Sequence, residues 1–191
     1  IARWHSRTWF LVFSTRVEKA SRLPPRYLSS VPVVLFRVDE RLIHGQVVMG
    51  WGVELEIVHY VVVDDELGES SWEQDLYRLG LPEGTTVEFL TVDQVSSRLE
   101  ILNVDRRRTV LLTRSLAAMK GLAEQGILRG REVNVGGLHY AAGRTERLSY
   151  VFLGEAEEAD LRAIVEQGVG VSARDLPGSR SVGVTSLLVR P

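Results

Sequence analysis

Val33-Val34-Leu35-Phe36-Arg37-Val38, running on into Asp39-Glu40-Arg41-Leu42-Ile43-His44-Gly45-Gln46-Val47, is the stretch that decides the fold. Its first six residues are a near-continuous apolar run, the pattern of a strand covered on both faces. Similar runs recur at 57–63, 108–113 and, shorter, at 132–135. Residues 86–91 alternate instead, which places that strand nearer an edge. Helix patterns fill the gaps. Ser70-Ser71 with Glu73-Gln74 form overlapping capping boxes ahead of 72–81. Thr91 or Asp93 caps 94–101, and Ser115 caps 116–125, which Gly126 ends. Residues 155–167 begin acidic, carry Leu161, Ile164 and Val165, and stop at Gly168, an order that complements the helix dipole. A last strand is predicted over 169–174. Strand–helix alternation of this kind predicts a single-domain α/β fold: a doubly wound, mainly parallel sheet with helices on both faces.

Composition narrows the function. The 191 residues are 45% hydrophobic and 25% charged, enough for one domain with its own core. There is no cysteine, hence no disulfide, thiolate metal site or cysteine nucleophile. No apolar run approaches the roughly 18–20 residues of a membrane span. A net charge of −2 argues against nucleic acid as a partner.

The charge is unevenly spread. Residues 1–30 hold five Arg and one Lys against Glu18 alone, whereas residues 31–191 hold 17 basic and 24 acidic side chains. The apolar stretch 9–13 is short for a secretory signal, and no small-residue cleavage site follows it. An organelle transit peptide fits the composition but nothing else. The favoured expectation is that 1–30 is a disordered or non-native extension, translated upstream sequence, and that the domain is 31–191. A start at Val31 would precede the first strand immediately, and the 21 Arg against two Lys suit a GC-rich bacterial genome, where valine codons initiate.

Ligands of doubly wound sheets bind outside the carboxyl ends of the strands. After the first strand, Arg37, Asp39, Glu40, Arg41, His44 and Gly45 crowd one strand–loop–helix junction. A helix starting near Gly45 and Gln46 would aim free N–H groups at an anion. Arginine offers a planar charged fork for phosphate oxygens, and neutral histidine is a nucleophile. These residues suit a histidine that is phosphorylated and dephosphorylated; a surface histidine beside a solvated Arg–Asp pair is the plainer reading. A second candidate is Asn134-Val135-Gly136-Gly137-Leu138-His139, whose glycines let backbone N–H groups turn toward an anion. Asp64, Asp65 and Glu66 follow the second strand and suit a histidine N–H, a sugar hydroxyl or a helix cap. His59 opens a strand and reads as structural. Phosphate-loop, dinucleotide, zinc-protease and nucleophile-elbow motifs are all missing, so no cofactor and no metal are expected, and any phosphoryl group must come from something other than bound ATP.

The run from Arg37 to Val47 closely resembles the active-site loop of the IIB subunits of the mannose/fructose/sorbose family of bacterial phosphoenolpyruvate-dependent sugar phosphotransferase systems. Trp51 falls where that family has a Trp. Val61-Val62-Val63-Asp64-Asp65-Glu66 is similar to its second strand and acidic loop. Val133-Asn134-Val135-Gly136-Gly137 is similar to its Asn-Val-Gly-Gly segment, and Gly143-Arg144-Thr145 to its Gly-Lys-Thr. Leu138 stands where Met is usual. The likeness spans roughly 32–188.

The resemblance implies a cytoplasmic bacterial protein, peripheral to a membrane sugar transporter. It implies that His44 takes a phosphoryl group, at Nδ1, from a phosphohistidine of a IIA protein or domain. The group then passes to a sugar delivered by the membrane components IIC and IID. Arg37 and Arg41 would hold the phosphoryl oxygens, Asp39 would orient an arginine or His44, and Gly136-Gly137 would line the rim, with Gly45, Gln46, Asp64 and Asn134 as further phosphate or substrate contacts. The rival is a regulatory phosphoprotein of an incomplete phosphotransferase system, whose output is a partner contact. A bare anion-binding module is the third reading. The sugar is not legible, and a homodimer is left open. A chain starting at Val31 should keep the thermal midpoint and phosphate acceptance of the full chain; a substantial loss of either, by calorimetry or labelling, would show that 1–30 packs on the domain.

Overall fold

The computed structural model describes residues 33–189; the expectations for 1–30 and for a start at Val31 lie outside the described residues. In chain order the elements are β1 (Val33–Val38), a π-helix (Gln46–Gly52), β2 (His59–Val63), α1 (Asp65–Glu69), α2 (Ser71–Leu79), β3 (Thr86–Leu90) and α3 (Val92–Val104). Then come β4 (Thr109–Thr113), α4 (Leu116–Glu124), β5 (Glu132–Val135), β6 (Thr145–Leu148), β7 (Val151–Leu153), α5 (Glu155–Glu166), β8 (Gly170–Ala173), β9 (Val182–Gly183) and α6 (Val184–Leu188).

Among the described residues the main sheet runs β3-β2-β4-β1-β5-β8-β9, parallel except for β9. Every residue of β2 and of β4 is buried, as their unbroken apolar runs require, while β3 forms an edge and is only part-covered. Alternate residues feed two cores. On one face Val38, Val61, Val63, Leu111 and Val135 pack with Leu116, Met119 and Leu122 of α4 and Leu161 and Ile164 of α5. On the other, Leu35, Tyr60, Val62, Val110 and Leu112 pack with Val47, Val48 and Trp51 of the π-helix and Leu67 of α1. The winding therefore places helices on both faces of one domain. No helix among the described residues is long and apolar enough to cross a membrane.

The differences from expectation are local. The helix after the His44 loop is a π-helix, seated so close to the sheet that a Cβ on Gly52 would come within 2.7 Å of the Tyr60 hydroxyl oxygen. The predicted capping box at Ser70 does not form: its hydroxyl donates to Glu73 Oε1, and Gln74 reaches back to the carbonyls of Leu67 and Gly68. Helix α2 stops at Leu79, before Gly80 and Pro82, and α3 extends to Val104 past the expected end at 101. At Thr91 the box is real, its N–H donating to Gln94 Oε1 at 3.0 Å. The β6–β7 hairpin, β9, α1 and α6 have no counterpart in the sequence reading; all are five residues or shorter, too brief to show a period.

His59 opens β2, at the opposite end of that strand from the loops around His44. It is buried, with Nδ1 2.7 Å from Thr86 Oγ1 and Nε2 3.5 Å from Glu88 Oε1. Burial, helped by the charge of Arg107, pushes its pKa below the ordinary value, against the pull of Glu88 and Asp105. The unfolded chain then binds the extra proton first. Its contribution to stability is whole above about pH 6.5 and is lost as pH falls through the lower folded pKa. His59→Gln should therefore flatten the fall in urea midpoint between about pH 6.5 and 5, and an unchanged slope would remove His59 as its source.

Candidate functional site

Strands β1 and β5 lie side by side in register, Arg37 opposite Asn134 and Val38 opposite Val135. The chain leaves β1 toward the π-helix on one face and leaves β5 toward the β6–β7 hairpin and α5. That divergence opens a crevice at their carboxyl ends, the expected ligand position for such a sheet. The ladder continues into both loops: Gly136 N–H donates to Val38 O at 2.8 Å, and Glu40 N–H to Gly137 O at 2.9 Å. The His44 loop and the Gly136-Gly137 turn are thus held together by backbone bonds.

Beneath the crevice lies a buried ion pair. Arg37 and Asp39 are both fully buried, with Nη2 2.8 Å from Oδ2. Arg37 Nη1 also donates to Asn134 Oδ1 and to Arg174 O, and Nη2 to Asp175 O. The guanidinium lies 5.5 Å from the Trp51 ring centroid, and the Trp51 indole N–H donates to the same Asp175 carbonyl. Burial lowers the Arg37 pKa against the opposing pull of the neighbouring Asp39 carboxylate, and an arginine stays protonated through such a shift. Asp39 further accepts N–H bonds from Arg41, at Oδ1, and from Gly137, at Oδ2. A Cβ on Gly136 would sit 2.2 Å from Arg37 Nη2 and 2.7 Å from Asp39 Oδ2, so only glycine lets the loop close over the pair.

This placement corrects one expectation. Arg37 does not reach outward to phosphoryl oxygens: both its terminal nitrogens are engaged inside the protein. Asn134 Oδ1 accepts one of these bonds. Arg41 is different. Its side chain is 43% exposed, with Nη2 2.5 Å from Gln46 Oε1 and Nε 3.6 Å from Asp39 Oδ1. It is the arginine with donors left for an incoming anion.

Between the two arginines and His44 the backbone turns sharply. Leu42 N–H donates to Asp39 O at 2.9 Å, and Leu42 holds φ at +53°, a left-handed conformation that disfavours a branched side chain. Complete burial of that side chain in the core holds it there. The turn delivers the Leu42 carbonyl to His44 Nδ1, 3.0 Å away. A carbonyl only accepts, so in this arrangement Nδ1 carries a proton. Nε2 is buried without a hydrogen-bond partner, 3.8 Å from Asp39 Oδ2. Gly45 is exposed with nothing near its Cβ position, leaving the approach to His44 open.

Two predicted residues lie apart from this cluster or in its second ring. Asp64 caps α1 through Leu67 N–H and pairs with Arg114 at 2.7 Å; β4 stands between its strand and β1. His139 sits on the rim, its backbone N–H and Nδ1 both bonded to Glu40 Oε2. Arg144 joins Glu40 to Glu157 of α5. Burial opposes ionisation of Glu40, but the bonds from His139 and Arg144 outweigh it and hold the carboxyl below its usual range. The sequence reading missed this Glu40–Arg144–Glu157 chain and the carbonyls of Arg174 and Asp175. The Gly143-Arg144-Thr145 match pointed to the first; backbone carbonyls leave no sequence signal.

The geometry places an exposed arginine and a crevice-facing histidine above a buried charge pair. The family model described as PTS system sorbose subfamily IIB component matches residues 33–190. The chain belongs to this family. It is 31% identical over 156 residues to the N-acetylgalactosamine-specific phosphotransferase enzyme IIB component 2 of Escherichia coli K12, covering 82% of this chain and 98% of that protein. The crystal structure of the N-acetylgalactosamine-specific IIB component 1 from Escherichia coli superposes with a TM-score of 0.73 at 28% identity, over 78% of this chain and 97% of that one. The mannose-specific EIIAB component of Escherichia coli K12 is 28% identical over 143 residues, which are 73% of this chain and 43% of that longer protein. This IIB component is thereby a transferase component of phosphotransferase-system sugar transport.

Removing one partner of a buried ion pair leaves the other uncompensated. Arg37→Met should cost about 3–5 kcal/mol in equilibrium urea unfolding. A loss below about 1 kcal/mol would mean that Asp39 finds another partner or water in its place.

Proposed function

We propose that His44 accepts a phosphoryl group from the phosphohistidine of a IIA protein or domain and passes it to a sugar brought by the membrane components IIC and IID. The observation that carries this reading is that His44 and the part-exposed Arg41 both lie against the buried Asp39 carboxylate, at 3.8 and 3.6 Å. The EIIAB relative, with IIA in its name beside IIB, supports a IIA donor. In the first step the N–P bond of the donor imidazole breaks as a bond from a His44 nitrogen to phosphorus forms. In the second, a sugar hydroxyl oxygen attacks, the His44 N–P bond breaks, and the hydroxyl proton goes to solvent or to the vacated imidazole. The reading places the domain on the cytoplasmic side, at the membrane transporter.

The choice of nitrogen follows from the surroundings. A phosphoryl dianion on Nε2 would face the buried Asp39 carboxylate. Nε2 is therefore the nitrogen that holds the proton during transfer, facing Asp39: the ring turns from the Leu42 carbonyl, the Nδ1 proton is lost to solvent and Nε2 takes one up, and the freed Nδ1 lone pair takes phosphorus. Arg41 then grips the phosphoryl oxygens, while Arg37 and Asn134 act by holding Asp39 in place. Positioning and charge stabilisation are the whole of the protein's work in such a transfer.

Phosphate from labelled phosphoenolpyruvate, passed through the general phosphotransfer proteins and the cognate IIA, should label the wild-type chain and not His44→Ala. Sugar with IIC and IID should then discharge the label; label that persists would assign the regulatory role instead. Arg41→Lys keeps the charge but loses the fork. Loss of a contact of about 2–3 kcal/mol should slow phosphorylation of His44 roughly 30- to 150-fold in rapid-quench measurements, with circular dichroism unchanged. A wild-type rate would take Arg41 out of the site.

A further inference from the structure

His139 has no task in the transfer just described, yet the protein spends several groups on holding it. Leu138 is pinned on both sides, its N–H donating to Tyr150 O and its carbonyl accepting from Phe152 N–H. The next residue, His139, gives its backbone N–H to Glu40 Oε2 at 2.8 Å and its Nδ1 to the same oxygen at 2.9 Å. Arg144 Nη1 donates to Glu40 Oε1 and, at 2.8 Å, to His139 O, while Glu157 fixes Arg144 from α5 through Nε and Nη2. The imidazole is clamped from behind by a chain of three charged residues.

Its Cε1 edge lies against Gly137. His139 Cε1 lies 3.3 Å from the Cβ position of Gly137, and Arg41 Nη2 lies 3.4 Å from the same point, with Asp39 Oδ1 at 3.3 Å below. The histidine side chain is 51% exposed. Because Gly137 has no side chain, Arg41 and His139 flank one shared space at the mouth of the site. Nδ1 must carry a proton to bond Glu40, so Nε2 is the only ring nitrogen left for a ligand. It presents a lone pair when the ring is neutral and an N–H donor when the ring is charged.

We propose that His139, as an imidazolium, is a second phosphoryl-binding residue, closing on the phosphoryl group of His44 from the side opposite Arg41. This rests on the reading of His44 as the phosphorylated residue. The charged groups around the ring are Glu40, Arg144, Arg41 and Asp39. Two of these are carboxylates and two guanidiniums, and an arriving phosphoryl dianion adds negative charge, which favours a cationic partner. Phosphoryl binding by His139 is therefore strong at low pH and fades as the ring loses its proton. Arg41 supplies a permanent charge, whereas His139 supplies one that comes and goes with the proton.

The test uses the full chain, phosphorylated from phosphoenolpyruvate through the general proteins and the cognate IIA. The rate of phosphoryl arrival on His44 is measured across about pH 5.5 to 8.5 for wild type, His139→Phe and His139→Arg. His139→Phe should be about tenfold slower than wild type at the acid end and nearly equal at the alkaline end. His139→Arg, charged throughout, should restore the acid rate and hold it to the alkaline end. A ratio of wild type to His139→Phe that does not change with pH would overturn the proposal, since a purely structural rim residue acts equally at every pH. Label absent from His44 in the wild-type chain would overturn the underlying reading and this proposal with it; label present with a flat ratio overturns the proposal alone.

Discussion

The ion pair between Arg37 and Asp39 is the constraint around which the rest of the site is arranged. Two opposite charges lie out of water at the end of a central strand, and such a pair is tolerable only when its remaining donors and acceptors are met. The protein meets them with Asn134 from β5, carbonyls of Arg174 and Asp175 after β8, the Gly137 N–H, and the face of Trp51. Gly136 is there because a side chain would occupy the pair's own volume. Asp39, once fixed, sets the positions of Arg41 and His44. The base of the site is thus buried, with both terminal nitrogens of Arg37 and both oxygens of Asp39 engaged and only Arg37 Nε left over, while Arg41 at its edge is part-exposed.

A division of labour between the two arginines follows. They are four residues apart and carry the same charge, yet one is fully buried and the other 43% exposed. If the domain carries a phosphoryl group as proposed, it must both hold and release it, and a transient ligand is better gripped by an exposed, adjustable fork than by a locked one. Asn134 and Asp64 are likewise engaged inside the protein: one accepts from Arg37, and the other caps a helix and pairs with Arg114.

The sheet was legible because β1, β2 and β4 are buried on both faces, which leaves them few polar positions and makes them stand out as apolar runs. Helices α4 and α5 were legible through their caps and terminal glycines. The hairpin β6–β7 was not, since Thr145–Leu148 holds Glu146 and Arg147 within four residues and reads as a polar loop. The π-helix was not, because a hydrophobic spacing does not tell one helical hydrogen-bond pattern from another. At the site, the grouping of Arg37, Asp39, Arg41, His44 and Gly136-Gly137 was legible, and its depth was not. Burial of Arg37 depends on carbonyls 137 and 138 positions away, and nothing in their side chains announces it.

That sequence separation bears on the order in which the domain assembles. The site is composed of residues from the β1 loop, the β5 turn, Arg144 and the loop after β8, so it closes only when both halves of the sheet have met. Arg37 is synthesised well before its last acceptors, the carbonyls 137 and 138 positions further along. Until β8 docks against β5, the guanidinium cannot leave water without an unmet charge, and contacts of such long range form late because their loops are costly to close. A partly folded chain therefore lacks the fixed Asp39 and cannot present His44 in its crevice. On the proposed reading, competence to carry phosphate and completion of the fold arrive together, and a donor protein would meet either a finished acceptor or none.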